Sequence, residues 1–176
     1  PGNWKQSGKT QFTLSLLFDA LEYAFNHPDQ VKLKIFYIIL EETDEGMTQR
    51  YISYLLNRLS GIRISPRDLR STKNDYPLDE NILLLLQDDE YKKRLEFFEQ
   101  VFEFSTVSNP TGILKLGKQY AEENGITHHK KTKYKDEFGV TKEADAFDWY
   151  EPNDPKEYRF MVIDHLSLCD PERGMT

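Results

Sequence analysis

The sequence predicts an α/β domain with a mainly parallel sheet, and three observations carry that prediction. Apolar residues recur at helical spacing directly after Gly8-Lys9-Thr10, a dense apolar run follows from Val31 to Leu40, and the later segments keep alternating between helix-like and strand-like lengths. Alternation of this kind stacks helices on a sheet whose strands mostly run the same way.

The first helix is expected from Thr10 to about His27, with Leu14, Leu17, Phe18, Leu21, Ala24 and Phe25 on its apolar face and Pro28-Asp29 closing it. Val31 to Leu40 reads as a buried, parallel strand, because it is apolar on both faces toward its end. A second helix is expected from about Asp44 to Ser60, striped by Met47, Tyr51, Leu55 and Leu59 and stopped by Gly61. Ile62 to Leu78, polar and broken by Pro66 and Pro77, reads as short helical turns and loop. Asn81 to Gln100 reads as one helix and Val101 to Val107 as a strand. Asn109-Pro110-Thr111 is a cap-plus-proline start for a helix reaching Asn124, with Gly125 as its stop. The last strand is expected over Tyr158 to Asp164.

Ile126 to Glu157 breaks this rhythm and reads as an inserted hairpin or flap turning at Asp136-Glu137-Phe138-Gly139. Lys130, Lys131, Lys133 and Lys135, with no acid between them, could touch a nucleic-acid backbone. The acidic residues that follow favour a solvated loop. His128-His129 suggests a metal only weakly, since no third ligand stands at a usual spacing.

Composition bounds the function. At 176 residues, 38% hydrophobic and 13% aromatic, the chain can fold around one sizeable core. A net charge of −7 argues against a surface coated for non-specific DNA binding, though a local basic loop remains compatible with it. The single cysteine, Cys169, can form no internal disulfide, which points to a reducing cytoplasm and a packing role near a strand end. No long apolar stretch or charged leader directs the chain to a membrane. The chain opens on Pro1 with no strand ahead of Gly8 and closes in the loop-like Asp170 to Thr176, so the sheet is expected to be incomplete at both ends.

The chemistry is concentrated at the start. Gly2-Asn3-Trp4-Lys5-Gln6-Ser7 leading into Gly8-Lys9-Thr10 reads as a phosphate loop, in which backbone N–H groups at a helix N-terminus wrap the phosphates, Lys9 reaches them and the Thr10 hydroxyl meets Mg²⁺. Asn3 stands where the pattern expects its first glycine, and asparagine tolerates the left-handed backbone such a turn needs. Arg159-Phe160-Met161-Val162-Ile163-Asp164 is an apolar run ending in an aspartate, the pattern that holds the metal's water shell. His165, and not a glutamate, follows Asp164, so the carboxylate that polarises the attacking water is sought at Glu41-Glu42. In a parallel sheet those residues lie at the phosphate edge. Either acid could instead cap the next helix; Glu41 is the better base and Glu42 the better cap.

Taken together, these residues resemble the ATPase core of DnaB-like replicative helicases, the hexameric RecA-fold motors of superfamily 4. The resemblance rests on Gly8-Lys9-Thr10, Leu40-Glu41, Arg50 on the following helix, and Val162-Ile163-Asp164-His165-Leu166-Ser167-Leu168, with Asn109-Pro110-Thr111 where that family starts its next helix. It covers essentially the whole chain. The family has a small residue at the Asn3 position, commonly Tyr at the His165 position, and a short link in place of 126–157, so the chain resembles a divergent, bacteriophage-type member.

The resemblance implies a RecA-like P-loop NTPase core that binds ATP and Mg²⁺ in a homo-hexamer and moves along single-stranded DNA in a bacterial host's cytoplasm. It implies nucleotide contacts from Asn3, Trp4, Lys5, Gln6, Ser7, Gly8, Lys9, Thr10 and Gln11, metal contacts from Thr10 and Asp164, a catalytic base at Glu41, and either a sensor or a packing role for His165. The family's arginine finger and DNA-gripping loops come later in its chain, so this segment alone should bind nucleotide weakly and unwind nothing. A RecA or RadA-like recombinase ATPase shares the same core. A degenerate nucleotide-binding module that only assembles or regulates is favoured by Asn3 and by the missing glutamate, and opposed by the joint retention of Lys9, Thr10, Glu41 and Asp164.

Overall fold

The computed structural model describes residues 8–40, 42–69, 78–163 and 169. They fall into two compact units, one within 1–107 and 158–168 and the other within 108–157 plus residue 169.

In the first unit, α1 (Lys9–Asn26) begins at Gly8, whose backbone is left-handed at φ 69°. Leu14, Leu17, Phe18, Leu21 and Ala24 form its buried face, the stripe that the helical spacing predicts. The Gln30 and Val31 N–H groups donate to the His27 carbonyl and turn the chain into β1 (Lys32–Ile38). Leu33, Ile35, Tyr37 and Ile39 join the core with α1, while Phe36 and Ile38 are buried outside that cluster. A strand covered on both faces is what a parallel sheet requires.

In α2 (Asp44–Ser60) the Thr43 side chain accepts from Gly46 N–H at the start, and Gly61 at φ 67° donates to the Asn57 and Leu56 carbonyls at the end. Met47, Tyr51 and Leu55 are buried as the stripe predicts, and Leu56 joins them. After the single turn of α3 (Pro66–Leu69), the span expected as one helix is two: α4 (Glu80–Leu86) and α5 (Asp89–Val101). Asp88 causes the break, because its side chain accepts from Glu90 N–H and restarts the helix. Val101, expected to open a strand, stays in α5 because Tyr91, Arg94, Phe98 and Val101 form its buried stripe. Strand β2 is therefore only Phe102–Ser105.

β2 pairs in parallel with β1 from Ile35↔Phe102 to Ile38↔Ser105. The strand ending at Ile163, named β5 because two strands precede it in the second unit, spans Glu157–Ile163 and lies on the other side of β1 in a three-stranded sheet of order β2-β1-β5. The last strand thus forms as expected, but Phe160 and Met161 are each 45% exposed. The apolar run marks an edge strand here, not a buried one.

The second unit starts with α6 (Pro110–Asn124), entered through Asn109 and Pro110 as expected. The helix stops at Gly125 as expected, though not through a left-handed residue. Gly125 has an extended φ of −178° and opens β3 (Gly125–Lys135) directly. A side chain there would run into the Glu151 carbonyl and the Tyr150 ring, so glycine is required for close approach. β3 pairs antiparallel with β4 (Thr141–Pro152), with a bulge between His128 and His129. The turn falls where expected: Asp136 accepts from the Phe138 and Val140 N–H groups, and Gly139 takes φ 77°.

Candidate functional site

The local chemistry at the head of α1 is that of an open helix end. The first intrahelical bond runs from Phe12 N–H to the Gly8 carbonyl at 2.9 Å. Among the described residues no side chain caps this end and no acid stands in the first turn. The first N–H groups of a helix point out of it, and their combined dipole favours an anion. Gly8 takes a left-handed backbone, and nothing lies within 4 Å of where a Cβ would stand.

The neighbouring strand returns to the same level. Helix α1 has 18 residues, about 27 Å of rise, and β1 has seven, about 23 Å. The tight turn at His27 makes the two antiparallel, so the carboxyl end of β1 comes back toward the head of α1. Leu40 and Glu42 follow that end. The sheet order then sets β5 beside β1, so the strand leading to Asp164 and the strand leading to Glu41 are direct neighbours.

Of the residues expected in the site, Gly8, Thr10 and Gln11 are placed at the start of α1. Thr10 is half-buried and Gln11 exposed. Asn3, Trp4, Lys5, Gln6, Ser7, Glu41, Asp164 and His165 lie outside the described residues, as does the Lys9 side chain.

Glu42 departs from expectation. The cap of α2 is Thr43, with Asp44 and Glu45 supplying negative charge to the first turn. Glu42 instead accepts from Arg50 Nε at 2.8 Å, both side chains being partly shielded at 18% and 32% exposure. Sequence reading singled out both residues and missed the pairing. Eight residues separate them and Glu42 precedes the helix, so no helical spacing rule joins them.

Two further features are set aside by their chemistry. A cavity of about 300 Å³ lies among Phe98, Phe102, Phe104, Asp44, Glu45 and Glu99, and its three carboxylates would repel a phosphate. Three of the four hairpin lysines read as a potential contact to a nucleic-acid backbone are matched by acids on the opposite strand: Lys130 with Asp148 at 2.7 Å, Lys131 with Asp145 at 3.4 Å and Lys133 with Glu143 at 3.7 Å. His128 stacks on Trp149 with ring centroids 3.9 Å apart and meets Glu151 at 3.1 Å. Among the described residues no group of three or more His, Cys, Asp or Glu could hold a metal ion, and no helix is long and apolar enough to cross a membrane.

No family model matches the chain, and neither a curated protein nor a solved structure matches it.

Proposed function

We propose that the chain is the ATP-binding and hydrolysing core of a hexameric DnaB-like helicase that moves on single-stranded DNA. One observation carries the reading: Gly8 is left-handed at the head of an 18-residue helix whose end no side chain caps among the described residues. That is the backbone geometry by which a glycine-rich loop offers its N–H groups to phosphates. The order of the sheet supports it, since β1 and β5 are adjacent.

In this reading Lys9 neutralises phosphate charge, while Thr10 and Asp164 hold Mg²⁺. The hydroxyl and the carboxylate fit such a hard cation. Bound there, the ion offsets negative charge on the β- and γ-phosphate oxygens. Glu41 orients and deprotonates the attacking water. Glu42 is engaged by Arg50, which supports Glu41 over Glu42 as the base. His165 stands after Asp164 as a candidate sensor of the γ-phosphate.

The test is ATP hydrolysis by the full-length reading frame, with and without single-stranded DNA, comparing wild type with Glu41→Gln. DNA-stimulated turnover that the substitution abolishes, with nucleotide binding retained, is the expected result. Binding without hydrolysis in the wild type would instead make the chain a regulatory nucleotide-binding module. Unchanged turnover in Glu41→Gln would move the base elsewhere.

A further inference from the structure

One face of the hairpin carries half-exposed Ile126, Tyr134 and Trp149, with Ala144 and Ala146, among the polar His128, Lys130, Thr132, Lys142 and Glu151. Opposed residues of an antiparallel pair share a face and successive residues alternate, so Lys130 and Ala146 sit together at the middle of this face. One step toward the turn come Thr132 and Ala144, and one step toward the base come His128 and Trp149. A step further out, Tyr134 with Lys142 ends the face near the turn and Ile126 with Glu151 ends it at the base. Ile126 is 56%, Trp149 50% and Tyr134 49% exposed. Helix α6 packs against both strands, and the rings it leaves exposed are a candidate interface.

We propose that this face binds the same face of a second copy of the chain, with strands reversed, about a two-fold axis level with Lys130 and Ala146. The face is self-complementary in that arrangement. The axis lies between the two sheets and perpendicular to the strands, so β3 falls on β3 and β4 on β4. Each Trp149 then sits over the second copy's Ala144, a large ring over a methyl group. Each Ile126 meets the second copy's Tyr134, and each Glu151 meets the second copy's Lys142.

The central Lys130 faces its own symmetry mate, and its charge is held by Asp148 at 2.7 Å, the residue added at the bulge. Nucleic acid is the poorer occupant, because Lys130, Lys131, Lys133 and Lys142 are each matched by a carboxylate. The face is about 27 Å long and smaller than a standard interface of about 1,600 Å², so the pairing is concentration-dependent. A two-fold contact closes as a pair, whereas a ring needs head-to-tail contacts. This association is therefore independent of the proposed motor and would join two rings, not neighbours within one.

Sedimentation velocity of the 176-residue chain, over a range of concentrations and without nucleotide, tests it with Lys142→Glu, Glu151→Lys and the double exchange. Each single variant breaks one contact within its own hairpin, Lys142 with Asp136 at 2.9 Å or Glu151 with His128 at 3.1 Å. Residues 142 and 151 lie at opposite ends of the face, so the double exchange restores a pair only between copies.

The expectation is a reversible dimer in the wild type, weakened about tenfold or more in each single variant, where both symmetric pairs become repulsive, and regained in the double. Ala144→Trp, which fills the hollow under Trp149, should abolish the dimer with the hairpin intact by circular dichroism. A monomeric wild type, association untouched by the single variants, failure of the double to regain it, or oligonucleotide binding by this face in place of dimerisation would each overturn the proposal.

Discussion

Removing the carboxylate of Glu22 should cost a large part of the first unit's stability. Glu22 and Arg94 are only 3% and 7% exposed. The carboxylate accepts from Tyr51 Oη at 2.7 Å and from Arg94 Nε at 2.9 Å, which ties α1 to both α2 and α5. Burial, and then the charge of Glu22, push the Tyr51 hydroxyl well above the usual tyrosine value, so it stays protonated and donates.

In Glu22→Ala two bonds to a charged acceptor disappear, each worth about 1.5–3 kcal/mol. Arg94 keeps Glu90 at 3.2 Å, but that carboxylate is 59% exposed and screened. The face of Phe25, 4.5 Å from the guanidinium carbon, remains. The sum agrees with the roughly 3–5 kcal/mol expected for orphaning a buried charge, a large part of a typical total of about 5–15 kcal/mol. Urea denaturation should show the midpoint fall with little change in slope.

Glu22→Leu with Arg94→Met should recover part of the loss but leave the Tyr51 hydroxyl unsatisfied, and adding Tyr51→Phe should recover most of the rest. A loss below about 1 kcal/mol for Glu22→Ala, or a triple variant no better than the single one, would show that the network is not a buried charge cluster. Glu22 lies about 18 Å along α1 from Thr10, so nucleotide affinity per folded molecule should not change.

Gly8→Ala should lose about 1–2 kcal/mol through backbone strain alone, because φ is 69° and the space around it is open. Gly8→Asn should lose less, and a neutral or stabilising alanine in urea titration would mean that the residue is not left-handed. Glu42→Gln should cost at most about 1 kcal/mol, as for a partly exposed ion pair, and leave turnover intact in the assay that Glu41→Gln fails; loss of turnover would reassign the base to Glu42.

At the hairpin turn, Lys142 and then the backbone bonds from Val140 and Phe138 hold the Asp136 carboxyl below its ordinary 3.8. A depressed value means the turn is stabilised above 3.8 and loses that support as pH falls through the lower folded value. Protection of the Phe138 and Val140 amides against hydrogen exchange, taken relative to the intrinsic rate at each pH, should fall only in that acidic window, and Lys142→Ala should move the window upward. A change near neutral pH would contradict this.

Local signals made most elements of the first unit legible, because each is set by residues near one another in sequence. Gly8 and Gly61 bound helices with left-handed backbone that glycine adopts at low cost, and the stripes on α1 and α2 repeat at the period of a helix. Asp88 was legible in kind but missed, since an acid before Asp89-Glu90 is also what a solvated helix face shows. Val101 was misassigned because β-branched residues suit strands, and its burial with Tyr91 and Phe98 outweighed that preference.

The long-range pairings could not be read this way. Arg94 and Glu22 are 72 residues apart, and either residue alone reads as a charge on a solvated face. The hairpin lies between these cases. Once the turn is placed at Asp136 to Gly139, the acids Glu143 and Asp145 mirror Lys133 and Lys131, so the charge pattern itself encodes pairing between the strands. The same mirroring leaves the rings of the other face partly open, since Ala144 and Ala146 are too small to cover Tyr134 and the side of Trp149 away from His128. A sequence that neutralises one face and leaves hollows beside rings on the other favours a second surface of matching shape over a charged polymer.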